Sequence, residues 1–414
     1  MTDTLVAVAL FAVTYAGMAL GRFPGLRIDR TGIALVAAIV LVLSGVVPAQ
    51  SVAGAIDFPT LAILFGLMIL SAQYAGSGFY DWCAYKVAGG NGGAPSPVRL
   101  MVVTVAVGGG LSAVLANDVV VFAMTPMLCA GLVRRGLDPR PYLIALAGAA
   151  NAGSAATVIG NPQNILIAQA GGLDFWRFLA VCGVPALAAL ACVLGVVLWV
   201  WRGRLELPHP PAPAPMDPPA LDRWPLVKAV VATVALLILF ATPLPQDMGV
   251  LAVAGVMLVS RQMASRTMLG MVDWHLLVLF AALFTVNHAL AMTGIPAALV
   301  DALQGAGWFP DRLAVMTPLA LVSSNTIGNV PAVILLLNAW TTPPEGALYA
   351  LALLSTLAGN LLLLGSLANI IMVERAALAG VRLGLADHAR CGIPMTLLSM
   401  GFAVVWLWAG GWIG

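Results

Sequence analysis

Asp118 sits where a carboxylate is costly. In GGGLSAVLANDVVVFAMTPML it follows Asn117 and has at least seven uncharged residues on either side. An ionised Asp at bilayer depth costs roughly 2.5–3.5 kcal/mol on insertion scales unless it is protonated or paired. No Lys or Arg stands inside the apolar spans to pair it. The expected partner is a proton or a bound cation, H+ or Na+, which makes Asp118 the expected coupling residue. A neutral, hydrogen-bonded Asp of structural role is the competing reading.

Three further clusters carry amides and hydroxyls through apolar surroundings. NAGSAATVIGNPQN (151–164) holds Gly160, Asn161 and Asn164. STLAGNLLLLGSLANIIMVE holds Asn360, Ser366 and Asn369, its GSLAN matching GNPQN. LVSSNTIGNVPAVILLL holds Ser324, Asn325, Thr326 and Asn329. Glycine permits unwound backbone, and Pro162 suits the first turn of a helix that resumes. Asn offers donors and acceptors both to an ion and to freed backbone groups. Broken helices are tolerated at membrane depth only inside protein or around a wet cavity, where their N-termini bring partial positive charge to a shared site. The competing reading is that Asn and Gly only let helices pack closely. In the last cluster the register is open. Pairing Ser112 with Ser324 equates Asn117 with Asn329, whereas pairing Asn-Asp with Asn-Thr selects Asn325, about one helical turn away.

His288 is the only other titratable group plainly inside a span and reads as a helix-packing hydrogen bonder. Asp57 and Asp273, at matching span starts, read as helix caps. The five cysteines lie in apolar runs without CxxC pairing, so they read as small buried hydrophobes and not as metal ligands. No metal or cofactor is expected beyond transient Na+.

The elements that must position these residues are membrane helices. Of the 414 residues 61% are hydrophobic and 9% charged, and the mean hydropathy is +1.00. That composition indicates an integral membrane protein, and the helix-length apolar runs exclude an outer-membrane barrel. A net charge of +2 provides no basic face for nucleic acid. The first run follows MTDT without a basic stretch, so it reads as a retained span. Spans are expected near 5–21, 31–48, 58–81, 140–171 and 175–201, then near 226–242, 248–264, 274–297, 347–372 and 391–412. Segment 99–134 is too long for one span and too short for two with a loop. It therefore reads as a re-entrant hairpin with its tip near Asn117, or else as a tilted helix with a glycine kink. Segment 312–340 is its counterpart.

Between the two sets lies GRLELPHPPAPAPMDPPALDRW (203–224), whose seven prolines make it an extended linker. The halves resemble each other. IDFPTLAILFGLMILSAQYAGSGF (56–79) matches VDWHLLVLFAALFTVNHALAMTGI (272–295), with Asp57 and Asp273, then Gly78 and Gly294, in equivalent places. With residue 1 outside and both hairpins returning to their own side, all of the 19 Lys and Arg residues except Arg177 and Arg312 fall inside. Five crossings per half invert the second half relative to the first. The expected fold is therefore an all-α polytopic protein of two inverted repeats, 1–202 and 225–414, each of five transmembrane helices plus a hairpin, with a cytoplasmic linker and both termini outside.

ANDVVVFAMTPML, GNPQN, SNTIGNVPAVILL and STLAGNLLLLGSLAN resemble motifs of the ion transporter superfamily. That group contains arsenite permeases, citrate and other carboxylate transporters, divalent anion/sodium symporters and some sodium/proton antiporters. The resemblance covers nearly the whole chain and implies a homodimer working by alternating access. Dicarboxylate symporters carry Ser-Asn-Thr at both hairpin tips. Here the first tip reads Ala116-Asn117-Asp118, more similar to arsenite permeases and to a group of uncharacterised bacterial anion permeases. The expected function is secondary transport of a small anion or oxyanion across the bacterial inner membrane, driven by H+ or Na+. Arsenite-type efflux and sodium/proton antiport are the alternatives, and a channel or a non-transporting scaffold is the different class. No nucleotide motif stands in the chain, so neither an enzyme nor an ATPase subunit is expected.

Overall fold

The computed structural model describes residues 2–20, 27–87, 96–207, 218–340 and 342–414. The middle of the proline-rich linker, 208–217, lies outside the described residues. Among those described, the chain is helical, with a single isolated bridge between Leu137 and Glu206.

The helices form two successive series. The first is α1 (Thr2–Leu20), α2 (Arg30–Leu43), α3 (Phe58–Gly76), α4 (Phe79–Val87), α5 (Pro97–Val114), α6 (Asn117–Arg134), α7 (Pro139–Ser154), α8 (Pro162–Gly171) and α9 (Phe175–Val200). The second is α10 (Arg223–Leu239), α11 (Gln246–Leu258), α12 (Trp274–Met292), α13 (Ile295–Gly305), α14 (Leu313–Thr326), α15 (Asn329–Ala339), α16 (Glu345–Ala358), α17 (Leu367–Leu378) and α18 (Leu385–Ala409). Seven of them, α1, α3, α5, α6, α9, α12 and α18, are long and apolar enough to cross a membrane. The protein is thus an all-α polytopic membrane protein.

Local detail recurs between the series. Asp57 and Asp273 do cap helices: the Thr60 and Leu276 amides donate to them at 3.2 and 3.0 Å. The helices they open, α3 and α12, are each 19 residues long. Each ends before a left-handed glycine, Gly78 at φ 75° or Gly294 at φ 73°.

Several boundaries differ from the sequence reading. The 58–81 run ends as α3 at Gly76, and a separate short helix, α4, follows. Segment 99–134 is a hairpin whose arms, α5 and α6, are each 18 residues, about 27 Å at 1.5 Å per residue and longer than the half-helices expected, with only Leu115 and Ala116 between them. Leu115 is extended and Ala116 is not helical, so the helical ladder stops there, beside the expected tip. The second counterpart does consist of short arms, α14 and α15, of 14 and 11 residues. Helix α18 begins at Leu385, earlier than expected, and takes in His388.

Helices α1, α2, α3, α10, α11 and α12 pack on one another as an outer group, and α5–α9 with α14–α18 form an inner group. In the inner group α7 is buried from Pro141 to Ser154 and α16 from Gly346 to Ala358. Their apolar, small-residue sequences suit burial on all sides. Outward faces carry exposed Leu187, Trp199, Val231, Val405 and Trp408, an apolar surface that lipid would cover.

Helices α5 and α7 approach closely through Gly109 and Gly153. A Cβ at Gly153 would overlap the backbone of Gly109. Gly153→Val should therefore push the pair apart and lower stability by about 1–3 kcal/mol, the usual cost of overpacking. Thermal unfolding in detergent checks this, and an unchanged midpoint would show that the crossing tolerates separation.

Candidate substrate and ion site

Both expected breaks are present. Helix α7 stops at Ser154 and α8 resumes at Pro162, and α16 stops at Ala358 and α17 resumes at Leu367. Helix α8 is capped by Asn161, whose Oδ1 accepts the Asn164 amide at 2.9 Å. Asn164 and Asn369 are fully buried and act alike. The Nδ2 of Asn164 donates to the carbonyls of Ser154 and Thr157 at 3.1 and 2.9 Å. The Nδ2 of Asn369 donates to Gly359 and Leu362 at 2.8 and 3.1 Å. These are the carbonyls that a break leaves without helical partners. Each amide thus holds its own break together, while its Oδ1 accepts from the other half, Asn164 from Thr356 and Asn369 from Asn151. Gly160 and Gly365 sit at equivalent points, where a Cβ would crowd the carbonyls of Ser154 and Gly359.

The tips meet the breaks. Asn117 donates its backbone N–H to Gly160 at 3.2 Å, and Thr157 donates to Ala113. At the second tip Asn325 donates to the Ala358 carbonyl at 2.9 Å, and Ser324 to Ser355 at 3.3 Å. Asn329 opens α15 as Asn117 opens α6, which settles the positional register in favour of Asn329. Asn325 lies in the last turn of α14, and Thr326 is exposed, bonded to Val322 and Ser323 of its own helix.

One residue ties the two halves together. Asn151, 1% exposed, accepts from Asn117 at 3.3 Å and from Ser366 at 2.9 Å. It donates to the side chains of Asn360 at 2.8 Å and Asn369 at 3.3 Å. Opposite it, Thr356 accepts from the Asn161 Nδ2 and the Gln163 Nε2 and donates to the Asn164 Oδ1. Asn360 also donates to the Gly148 carbonyl at 3.2 Å.

A cavity of about 90 Å³ opens beside this network, lined by Asn117, Asp118, Pro162, Gln163, Asn329 and Ser366 among others. These residues stand at the starts of α6, α8, α15 and α17, so four helix N-termini face one space. The dipole ends of these helices favour negative charge, although the first amides of α6 are already taken by Gly160, Asn117 and Ala116. Asp118 faces it too, and also a second cavity of about 50 Å³ that it shares with Asp273 and Asn161. The Asp118 backbone amide is held by the Asn117 side chain at 3.0 Å. Among the described residues its carboxylate has no hydrogen-bond or ion-pair partner. Oxygen donors for a transient cation are this carboxylate and the Asn329 Oδ1, which is buried and likewise unpartnered.

The structure corrects two points of charge. Arg30, at the start of α2, lines the same cavity as Asp118, so a cationic side chain does reach that space from outside the broken helices. His288 lies half-buried on α12, and a second titratable group that the spans did not mark, fully buried His388, reaches the network, with Nε2 3.1 Å from the Asn360 carbonyl. Asn151 and Thr356 were legible as a pair, because the register that aligns Asn164 with Asn369 aligns them as well. Arg30 and His388 carried no such signal. Each reads as an ordinary polar residue at a helix start.

Hairpin tips that meet paired broken helices around a small polar cavity, inside a polytopic helical bundle, define a membrane transporter. The profile of the citrate transporter family matches residues 9–342, and the chain belongs to that family. It is 34% identical over 333 residues to the inner membrane protein YbiR of Escherichia coli K12, covering 78% of this chain and 81% of that one. It is 29% identical over 432 residues to a 46 kDa membrane protein of Mycobacterium leprae, across 98% of each chain. The rice silicon efflux transporter LSI3 is 27% identical over 447 residues, with 91% of each covered. The crystal structure of the Alcanivorax borkumensis YdaH transporter superposes with a TM-score of 0.57 over 99% of this chain and 98% of that one, at 16% identity, a likeness of fold.

Proposed function

We propose that the protein is a secondary transporter carrying a small anion or oxyanion across the bacterial inner membrane, coupled to H+ or Na+ by alternating access. The supporting observation is the convergence of four helix N-termini on a cavity that also holds the unpartnered Asp118. The N-termini supply partial positive charge for the substrate, and Asp118 supplies a place for the coupling cation. On this reading residues 1–202 and 225–414 are inverted repeats, both hairpins are re-entrant, and the protein works as a homodimer. A second reading, efflux of a neutral hydroxide against protons, draws on the named activity of the rice relative, silicon efflux. Sodium/proton antiport is the third.

Reconstitution tests these. Proteoliposomes with an imposed pH or sodium gradient should concentrate one of phosphate, sulfate, acetate or citrate above its external level. A channel would only equilibrate it, and concentration of arsenite alone would favour the neutral-solute reading.

Orientation is checked separately. The native cysteines are buried apart from half-buried Cys192, so a cysteine placed in the 203–224 linker gives a clean signal. Impermeant maleimide should label it in inside-out vesicles and not in intact cells, because Arg202, Arg204, Arg223 and Lys228 favour retention of the linker inside. Labelling of intact cells would overturn the proposed orientation.

A further inference from the structure

We infer that Arg30 is the counter-charge for the transported anion, and that Asp118, which lines the same cavity, takes up one proton with each monovalent anion bound. This rests on the anion reading above and adds the residue that selects charge and the step that sets the stoichiometry.

Three groups lining the 90 Å³ cavity lack partners of their own. Arg30 spends one guanidinium N–H, its Nε–H, on the Met18 carbonyl at 3.1 Å. Its terminal N–H groups meet no acceptor among the described residues, and the ion pairs found there are Arg140 with Asp138 and Arg177 with Glu345. The Asp118 carboxylate is unpartnered, and so is the Oδ1 of Asn329, a residue only 8% exposed. A buried polar atom left unpaired, as the Asn329 Oδ1 is, calls for a ligand or ordered water. A guanidinium with free N–H groups is the side chain best matched to an oxyanion or a carboxylate.

The charges then dictate a sequence of states. With Arg30 cationic and Asp118 ionised the cavity is neutral overall. An entering anion that binds Arg30 leaves Asp118 as an uncompensated negative charge in a small, weakly solvated space. Uptake of one proton by the Asp118 carboxylate restores neutrality: the acid forms, the anion pairs with Arg30, and no other bond changes. Asp273 lines the smaller cavity together with Asp118. The other charged groups on elements packed against α6, namely Asp81 and Lys86, Arg99, Asp138 and Arg140, Glu374 and Arg375, line neither cavity. Arg375 stacks on the Phe122 ring at 4.0 Å.

Arg30 belongs to α2, which packs on α1 and α12 in the outer group, whereas Asp118 belongs to the inner group. The cavity is therefore lined by charges from both groups, and the distance between them changes if the groups shift. The cavity is also well below the roughly 300 Å³ at which drug-sized ligand sites begin. A compact oxyanion or short carboxylate fits it better than a branched tricarboxylate.

The test is binding, read as thermal stabilisation of the purified protein by phosphate, sulfate, acetate or arsenite at pH 6 and pH 8. Wild type should be stabilised by at least one of the three anions, more tightly at pH 6. Arg30→Gln should weaken that anion about tenfold or more, and Arg30→Lys should recover part of the loss. Asp118→Asn should bind it at least as tightly as wild type and equally at both pH values. If no anion stabilises wild type, or only arsenite does, the anion reading fails and the Arg30 role fails with it. If an anion stabilises wild type and Arg30→Gln equally, the Arg30 role is wrong and the anion reading stands. Should Arg30→Gln not fold, Asp118→Asn decides: retention of the wild-type pH dependence overturns proton uptake by Asp118.

Discussion

Asp118→Asn is expected to abolish gradient-driven accumulation while leaving substrate exchange across the membrane in place. The substitution keeps the size of the side chain and fixes its charge at zero, so the cation-free and cation-loaded forms of the site become alike. A carrier coupled to one proton converts each unit of pH gradient, about 1.4 kcal/mol, into up to about tenfold accumulation. The variant should show none. Its uptake should also stop depending on pH, whereas wild-type uptake should fall as pH rises and Asp118 loses the proton that lets an anion share its cavity. Preloaded vesicles separate the two activities: exchange persists without a gradient, and net accumulation does not. Wild-type accumulation by Asp118→Asn would leave Asp118 with a structural role only.

The second large effect is expected at Asn151. Its amide serves Asn117 at the first tip and Ser366, Asn360 and Asn369 at the second break. Asn151→Ala removes all four bonds at once, and leaving a buried polar group unpaired costs about 1–3 kcal/mol. The losses will not simply add, because the network can relax, but a drop of several kcal/mol and loss of transport are expected together. Asn164→Leu and Asn369→Leu should behave similarly, since each orphans two carbonyls of a break. This differs from residues that merely touch substrate, whose loss would leave the melting point unchanged. A thermal midpoint and an uptake rate measured on the same Asn151→Ala preparation check it. Normal values for both would mean that the halves are joined by packing and not by this amide.

The sequence by itself determined the class of structure and the location of its interruptions. Apolar runs of span length have no soluble alternative, and Asn-Pro and Gly-Ser within them cannot continue a buried helix, so the breaks at 155–161 and 359–366 were legible. So were the helix caps at Asp57 and Asp273, because capping is local: an oxygen meets an amide three residues on. Length was a weaker guide. The 99–134 segment holds two 18-residue helices because a joint of two non-helical residues takes almost no chain, which counting residues could not reveal.

What only the tertiary structure decided is which of these polar groups face the cavity and which face the backbone. Asn164 and Asn117 are the same residue type in similar surroundings. One repairs the carbonyls of its own break, and the other stands at a tip with its neighbour Asp118 open to the cavity. Asn329 rather than Asn325 takes the matching place at the second tip, because the end of α14 turns Asn325 back onto α16. Arg30 enters the site from a helix far away in sequence, and His388 reaches Asn360 from the last helix. No spacing rule links residues on separate helices. Side-chain direction and helix crossing set those distances, and both arise only when the two series pack together.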